Sequence, residues 1–276
     1  MKTKKEIVAI VVLYNPDDKV YRTINEYENL VNRVILVDNS LQSNGTKFKD
    51  LNFVKYIPLF QNKGIAYALN KGIKESNEKY ILTMDQDSHI KGSLINAYLS
   101  FLNKNDEKKI GALTCQYNTD RNAKKPRTGF EKVKLSMQSG TLFKRDTFNK
   151  IGYFNEQLFL DVVDYEYFLR MNQADLQLIR INPAVLDHQP ATTRILKLGF
   201  GKLKYGIASP VRYYYQARNL LWTAKKYKDP KLYFILTVKL LKIVILFDNK
   251  KRYLRAFNQG IKDANYNKLG KYTYKN

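Results

Sequence analysis

The chain has 276 residues, 44% of them hydrophobic and 26% charged, enough for one sizeable core with room for an appended helical part. A single cysteine, Cys115, excludes an intrachain disulfide and fits a reducing compartment. The formal charge is +23, yet residues 191–276 hold 20 of the 48 Lys and Arg and only 3 of the 25 Asp and Glu. A basic tail region beside a near-balanced remainder points to an anionic partner, either nucleic acid or an anionic membrane face. No stretch of about 18 uncharged apolar residues occurs, so no membrane-spanning helix is expected.

Taken in order, Glu6 to Leu13 is a β-branched run, the pattern of a central parallel strand buried on both faces, and not a signal-peptide core. Tyr14-Asn15-Pro16-Asp17-Asp18 ends it. Ile24, Leu30 and Val31 give a helical stripe before a second strand, Arg33 to Val37, which runs into Asp38-Asn39-Ser40. A third strand over 52–57 precedes Gln61-Asn62-Lys63-Gly64, and Ile65, Leu69 and Ile73 mark a helix behind it. The fourth strand, Tyr80 to Met84, ends in Asp85-Gln86-Asp87-Ser88. This alternation predicts a doubly wound α/β domain, whose ligands bind beyond the carboxyl ends of the strands. There is no G-x-x-x-x-G-K-[ST], and no G-x-G-x-x-G follows the first strand, which argues against a P-loop enzyme and a standard dinucleotide oxidoreductase.

The strand ends therefore carry the candidate chemistry. Asp85-x-Asp87 offers hard oxygen ligands to Mg²⁺ or Mn²⁺, ions that bind phosphate oxygens in turn, or else it forms a polar turn whose Asp87 or Ser88 caps the next helix. Asp38 accepts hydrogen bonds from a base or ribose, or serves as a turn residue. Lys63-Gly64 brings a cation and backbone N–H groups to a pyrophosphate, or is ordinary loop chemistry.

Further on, 109–115 reads as a fifth strand, and the polar, aperiodic 118–131 as a mobile loop near the site. Val133, Leu135 and Met137 alternate as a returning strand, followed by Ser139-Gly140-Thr141, and Arg145 to Ile151 suits a helix closed by Gly152. Asp161, Asp164 and Glu166 fall among large apolar residues. On a helix Asp161 and Asp164 share a face, where a carboxylate at an apolar pocket makes a general base, or else they form an acidic first turn that complements the helix dipole. Glu166 reads as the partner of Arg170. Leu176 to Ile181 is a strand. His188 follows it as a divalent-ion ligand or a surface or packed imidazole, while His89 reads as a surface or packed residue. After residue 190 come three helices. One is aromatic, around Tyr213 to Trp222. One spans Leu232 to Phe247, with Lys239 and Lys242 on one side and Leu236, Leu240, Ile243 and Phe247 on another. One carries Leu254, Phe257 and Ile261. Basic helices of this kind either lie in a membrane interface or pack on the α/β domain with their lysines solvated.

Together these pieces resemble family 2 glycosyltransferases of the GT-A fold. The resemblance rests on Val12-Leu13-Tyr14-Asn15, Val37-Asp38-Asn39-Ser40, Asn62-Lys63-Gly64 with Ala68, Asn70 and Gly72, and Asp85-Gln86-Asp87-Ser88. It continues through Ser139-Gly140-Thr141, Asp161-x-x-Asp164-x-Glu166-x-x-x-Arg170, Asp187-His188, Tyr214-x-x-x-Arg218-Asn219 and Gly260-Ile-Lys-Asp263, in family order. Within the family, Val-Asp-Asn-Ser with Asp-Gln-Asp-Ser looks most like bacterial rhamnosyltransferases that build surface polysaccharide.

The resemblance implies a Rossmann-like mixed sheet flanked by helices, with a catalytic domain over 1–205 and a basic helical extension over 206–276. It implies that Tyr14, Asn15, Asp38, Asn39, Lys63, Gly64 and Asp85 bind the nucleotide sugar, and that Asp87, Asp85 and His188 hold Mg²⁺ or Mn²⁺. Asp164 is then the base, with Asp161 as competitor, because many members carry two adjacent acids where this chain has Val163-Asp164. Ser139, Gly140, Thr141 and Arg218 line the sugar and acceptor region. The implied reaction is inverting transfer of L-rhamnose from dTDP-rhamnose to a lipid-linked glycan, by a cytoplasmic enzyme peripheral on the inner face of the plasma membrane. The alternative donors are UDP-galactose, a UDP-N-acetylhexosamine or a galactofuranose donor. A nucleic-acid-binding protein is the remote alternative, since no usual nucleic-acid module occurs.

Overall fold

The run Ile7–Leu13 becomes strand β1, with Ile7, Ala9, Val11 and Leu13 facing one hydrophobic layer and Val8 and Ile10 the other. A strand buried on both faces has no place for polar alternation, which is why the sequence there is uniformly apolar. The computed structural model describes residues 1–119, 127–188, 192–198 and 201–273. In chain order β1 is followed by α1 (Lys19–Asn25), β2 (Arg33–Asp38), β3 (Val54–Pro58), α2 (Ile65–Lys74), β4 (Tyr80–Asp85), α3 (Gly92–Lys104), β5 (Ile110–Asn118), β6 (Phe130–Val133), β7 (Thr141–Lys144), α4 (Arg145–Ile151), α5 (Val163–Gln173) and β8 (Gln177–Asp187). The hairpin β9 (Thr192–Leu198) and β10 (Gly201–Ile207) comes next, then α6 (Pro210–Tyr227), α7 (Pro230–Leu246) and α8 (Lys250–Asn265).

The main sheet has the order β3-β2-β1-β4-β7-β5-β8-β6. Its first four strands are parallel, and β7 enters antiparallel between β4 and β5. Two registers set up the functional edge. Leu13 lies opposite Asp38 and Val12 opposite Asp85, so the carboxyl ends of β2, β1 and β4 are flush. Thr83 pairs with Thr141, which lays the segment just before β7 beside the end of β4. Leu69 and Ile73 of α2 and Tyr167 and Phe168 of α5 cover one face of the sheet; Leu94, Ile95 and Tyr98 of α3 cover the other.

Several expectations are corrected. Leu30 and Val31 are not helical: α1 stops at Asn25, and Asn29, at φ +61°, turns the chain. Residues 134–140 are irregular, so the expected strand through Val133, Leu135 and Met137 splits into β6 and β7 with a turn at Gly140. Residues 120–126 of the expected 118–131 loop lie outside the described residues, while Asn118 ends β5 and Phe130 and Glu131 begin β6. Asp161 is not on the helix with Asp164. Phe159, Asp161 and Val162 all have φ near +60°, and α5 begins only at Val163. The β9–β10 hairpin was not expected; its strands pair only with each other and expose Ile195, Leu196 and Leu203, so no buried alternation marks them.

The C-terminal helices close over the α5 side. At the α6–α8 crossing a Cβ on Gly260 would meet Tyr214 O, with Arg218 N at 3.0 Å. Both neighbours are backbone and cannot rotate away. Gly260→Ala is therefore expected to cost about 1–3 kcal/mol. That is a fall of roughly 3–10 °C in Tm by differential scanning calorimetry; an unchanged Tm would show that the crossing is loose.

Candidate active site

The β1 and β2 ends form one side of a cleft. Burial pushes the Asp38 carboxyl up, but donors from Ser40, Tyr56 and Asn44 outweigh it and hold the group below its usual range. Ser40 N donates to it at 3.0 Å, Asn44 Nδ2 at 2.9 Å and the Tyr56 hydroxyl at 2.5 Å. The carboxylate thereby shapes the 40–44 loop. That loop, with Asn15 and Pro16, lines a cavity of about 380 Å³. Asn15, at φ +46°, is fixed by its N–H donating to Ser40 Oγ at 2.7 Å. Tyr14 is tied to the neighbouring edge: its N–H donates to Gln86 Oε1 at 2.8 Å, and Gln86 Nε2 donates back to Tyr14 O at 3.2 Å.

At the end of β4 the two carboxylates meet an imidazole from a segment a hundred residues away. Ligand atoms of Asp85, Asp87 and His188 all lie within 4.8 Å of one another. A bonded relay orients the imidazole: Asp85 N donates to Ser139 Oγ at 3.0 Å, Ser139 Oγ meets Ser88 Oγ at 2.9 Å, and Ser88 Oγ meets His188 Nδ1 at 2.9 Å. Burial pushes the Asp85 carboxyl up to about 6; Asp87 adds its like charge, while His188 and Gln138 pull against it. Two crowded carboxylates and an imidazole are a donor set that a hard divalent ion fits, and such an ion would relieve the repulsion. Asp87 and Ser88 do not cap α3, whose N-cap is Lys91. His89 bonds Glu26 at 3.0 Å on the surface, as expected.

Gln138 joins this cluster to α5. Its Nε2 donates to Asp85 Oδ1 at 2.6 Å, and its backbone N–H is among the groups that favour the charged form of the Asp164 carboxyl. Burial pushes Asp164 up to about 7; Asp161 and Asp85 push the same way, and the N–H groups of Tyr165 and Gln138 oppose them. Asp161 has a different environment. Arg212 grips it through Nη2 at 2.6 Å and Nε at 3.2 Å, and its backbone O accepts from Asn219 at 2.9 Å. Asp161 above all, and then the charges of Asp85 and Asp87, hold the Arg212 guanidinium above its usual range.

The Glycosyl transferase family 2 profile matches residues 8–167, more than half of the chain. The chain belongs to glycosyltransferase family 2. It is 31% identical over 250 residues to the dTDP-rhamnosyl transferase RfbF of Shigella flexneri, covering 82% of each protein. Its fold is similar to that of GalNAc-T7, solved with UDP, GalNAc and Mn²⁺ (TM-score 0.62, 13% identity, 95% of this chain but 56% of that chain). It is also similar to residues 1–349 of S. aureus TarS with UDP-GlcNAc (TM-score 0.58, 14% identity, 94% of this chain and 81% of that chain). The mixed sheet flanked by helices is the fold expected of the family, and the protein is a glycosyltransferase.

Within this family 2 enzyme the other motif residues sit behind the cleft. Ser139, Gly140 and Thr141 are buried as the floor under Asp85, and their neighbour Gln138 reaches the carboxylates instead. Gly140 is at φ +77°, its N–H donating to Thr83 O at 2.8 Å, and a Cβ there would strike Leu186 and Cys115. Asn39 accepts from Lys63 N at 2.8 Å and latches the Asn62-Lys63-Gly64 turn to the end of β2. Gly64, at φ +88°, packs under Phe159, and the Lys63 ammonium lies 4.5 Å from the Tyr67 ring centroid. Arg218, placed by sequence in the acceptor region, is buried and donates to Leu158 O at 3.0 Å and Gly270 O at 2.7 Å. It braces the loop that carries Asp161. Asp187 is engaged by Lys91 and Asn118. Glu166 is held by Arg170, Lys226 and Tyr227. Sequence reasoning missed Gln138 and Arg212: neither lies in a carboxylate motif, and only the late start of α5 and the β7 register bring them in.

Because the folded Asp38 carboxyl lies below its unfolded value, it contributes stability above pH ~4 that is lost as pH falls through the folded value. Asp38→Asn is expected to cost about 1–3 kcal/mol at pH 7, since buried donors lose part of their acceptor. In urea melts the gap from wild type should narrow below pH ~4; a gap independent of pH would rule out the ionised role.

Proposed function

We propose that the protein is an inverting, metal-dependent glycosyltransferase that moves L-rhamnose from dTDP-rhamnose onto a lipid-linked glycan of a bacterial surface polysaccharide. The observation that carries the chemistry is the junction at Gln138, where a metal-type Asp85–Asp87–His188 cluster and a carboxyl poised near neutrality meet through one residue. The donor assignment is supported by the likeness to the rhamnosyl transferase RfbF over 82% of both chains.

In this reading the nucleoside takes the cavity between Asn15 and the 40–44 loop, whose shape Asp38 sets. Asp85, Asp87 and His188 would hold Mg²⁺ or Mn²⁺; GalNAc-T7 was solved with Mn²⁺. When bound, the ion offsets charge growing on the leaving diphosphate oxygens. Asp164, ionised, takes the proton of the acceptor hydroxyl as its oxygen attacks the anomeric carbon, and the diphosphate leaves from the opposite face, which inverts the centre. Asp161 is taken up by Arg212, so it is the positioning partner of a cation that faces the leaving group, and Asp164 is the base. The UDP-GlcNAc bound to TarS, and the UDP and GalNAc bound to GalNAc-T7, make other donors the second reading.

A thermal-shift panel of dTDP-rhamnose, UDP-galactose, UDP-GlcNAc and a UDP-galactofuranose donor with Mn²⁺ tests the donor, because a bound ligand stabilises by mass action. The largest shift is expected with dTDP-rhamnose; a larger one with a UDP-sugar would displace it. Asp164→Asn is expected to lower kcat by about 10²–10⁴ with donor-induced shift intact. The wild-type kcat/KM should fall as pH drops below about 7, where Asp164 takes up a proton. Retention of wild-type rate by Asp164→Asn, with loss in Asp161→Asn, would transfer the base role to Asp161.

A further inference from the structure

The helix α7 reverses the orientation its sequence had suggested. Lys239 and Lys242 turn inward: Lys239 Nζ donates to Gln216 Oε1 at 2.8 Å, and Lys242 Nζ donates to Gly206 O. What faces out is apolar. Phe234 is 68% exposed, Val238 46%, Leu241 51% and Ile245 68%, at the i, i+4, i+7, i+11 spacing of one helical stripe. Exposed charges stand at both ends of it: Lys228 and Lys231 before the helix and at its start, and Lys250, Lys251 and Arg252 after it. The β9–β10 hairpin is fastened to the end of α7 by the Tyr205 hydroxyl, which donates to Leu246 O at 3.0 Å, and on the face it shares with Tyr205 it carries the exposed, paired Leu196 and Leu203.

We propose that this stripe is a docking face for an anionic lipid bilayer, with α7 lying in the interface plane, Phe234, Val238, Leu241 and Ile245 among the acyl chains, and the flanking lysines and arginine on lipid phosphates. A contiguous row of large apolar side chains on a surface marks an interaction site. Charge selects the occupant. A second copy docked stripe to stripe would bring together two regions that each carry 20 Lys and Arg against 3 Asp and Glu, while anionic headgroups neutralise them. The helix lies on the bilayer and does not cross it. Its 17 residues span about 26 Å, short of the roughly 30 Å hydrocarbon core. Among the described residues no helix is long and apolar enough to cross.

The docking does not depend on the proposed reaction, but one consequence rests on it. The inner face of α7 reaches the catalytic edge through Lys239, Gln216 and Asp161, whose carboxylate accepts from Gln216 Nε2 at 3.4 Å. Docking therefore holds the cleft about one helix diameter above the headgroups. That height suits an acceptor whose reacting sugar sits close to its lipid.

Vesicle flotation of the full chain tests the proposal. The protein should float with phosphatidylcholine–phosphatidylglycerol vesicles, stay behind with phosphatidylcholine alone, and be released by salt. Phe234→Ser/Leu241→Ser/Ile245→Ser should reduce the bound fraction about tenfold or more. Phe60→Ser, which removes an equally exposed aromatic elsewhere, should not. Donor-induced thermal shift without vesicles, unchanged in the triple variant, shows that the variant is folded and separates loss of docking from failure of the glycosyl-transfer reading. Undiminished flotation of the triple variant would overturn the proposal. So would a wild-type dimer by light scattering that the triple variant converts to monomer, which would assign the face to a second copy.

Discussion

Mutual repulsion of carboxylates governs this molecule. Asp38, Asp85, Asp87, Asp161 and Asp164 gather along one sheet edge, and each is kept there by a different device. Asp38 is ionised within a ring of donors from Ser40, Asn44 and Tyr56. Asp161 is neutralised by Arg212. Asp85 and Asp87 face His188 in a donor set that a divalent ion fits. Asp164 has no cation of its own and is pushed up toward neutrality. A low local dielectric makes each pairing matter, since an unpaired charge there is costly.

That division accounts for two acids three residues apart with different fates. The backbone between them is left-handed at Asp161 and Val162, so α5 starts late and the two side chains diverge. A left-handed β-branched residue such as Val162 is strained and persists only if its surroundings hold it. Arg218 and Asn219 do so: their side chains donate to the carbonyls of Leu158, Leu160 and Asp161 from a buried position on α6. The C-terminal helices thus set the backbone of the Asp161 loop as well as forming a surface.

α6 faces both ways. Through Arg212 and Asn219 it holds the loop that carries Asp161, and through Gln216 it meets Lys239 of α7. Burial depresses the Lys239 ammonium, with Asp161 opposing that shift, so the inward lysine is costly and is kept by its partner. A lysine spent inward leaves the outer face of α7 to apolar side chains.

The sequence alone determined the sheet and its strand ends, because a doubly buried strand has to be uniformly apolar and its polar punctuation marks the ligand edge. Val12 to Asn15, Val37 to Ser40 and Asp85 to Ser88 were legible for that reason, and so was the family. Which polar residues point into the cleft was decided only by tertiary structure. The register of β7 against β4 put Gln138 rather than Ser139 or Thr141 at the carboxylates. The left-handed turn at Asp161 gave that acid to Arg212. The rotation of α7 about its axis depends on neighbours far away in the chain, Gln216 and Gly206, and these turned its lysines in and its apolar stripe out. A helical period tells which residues share a face; what that face meets is set by the packing of the other elements.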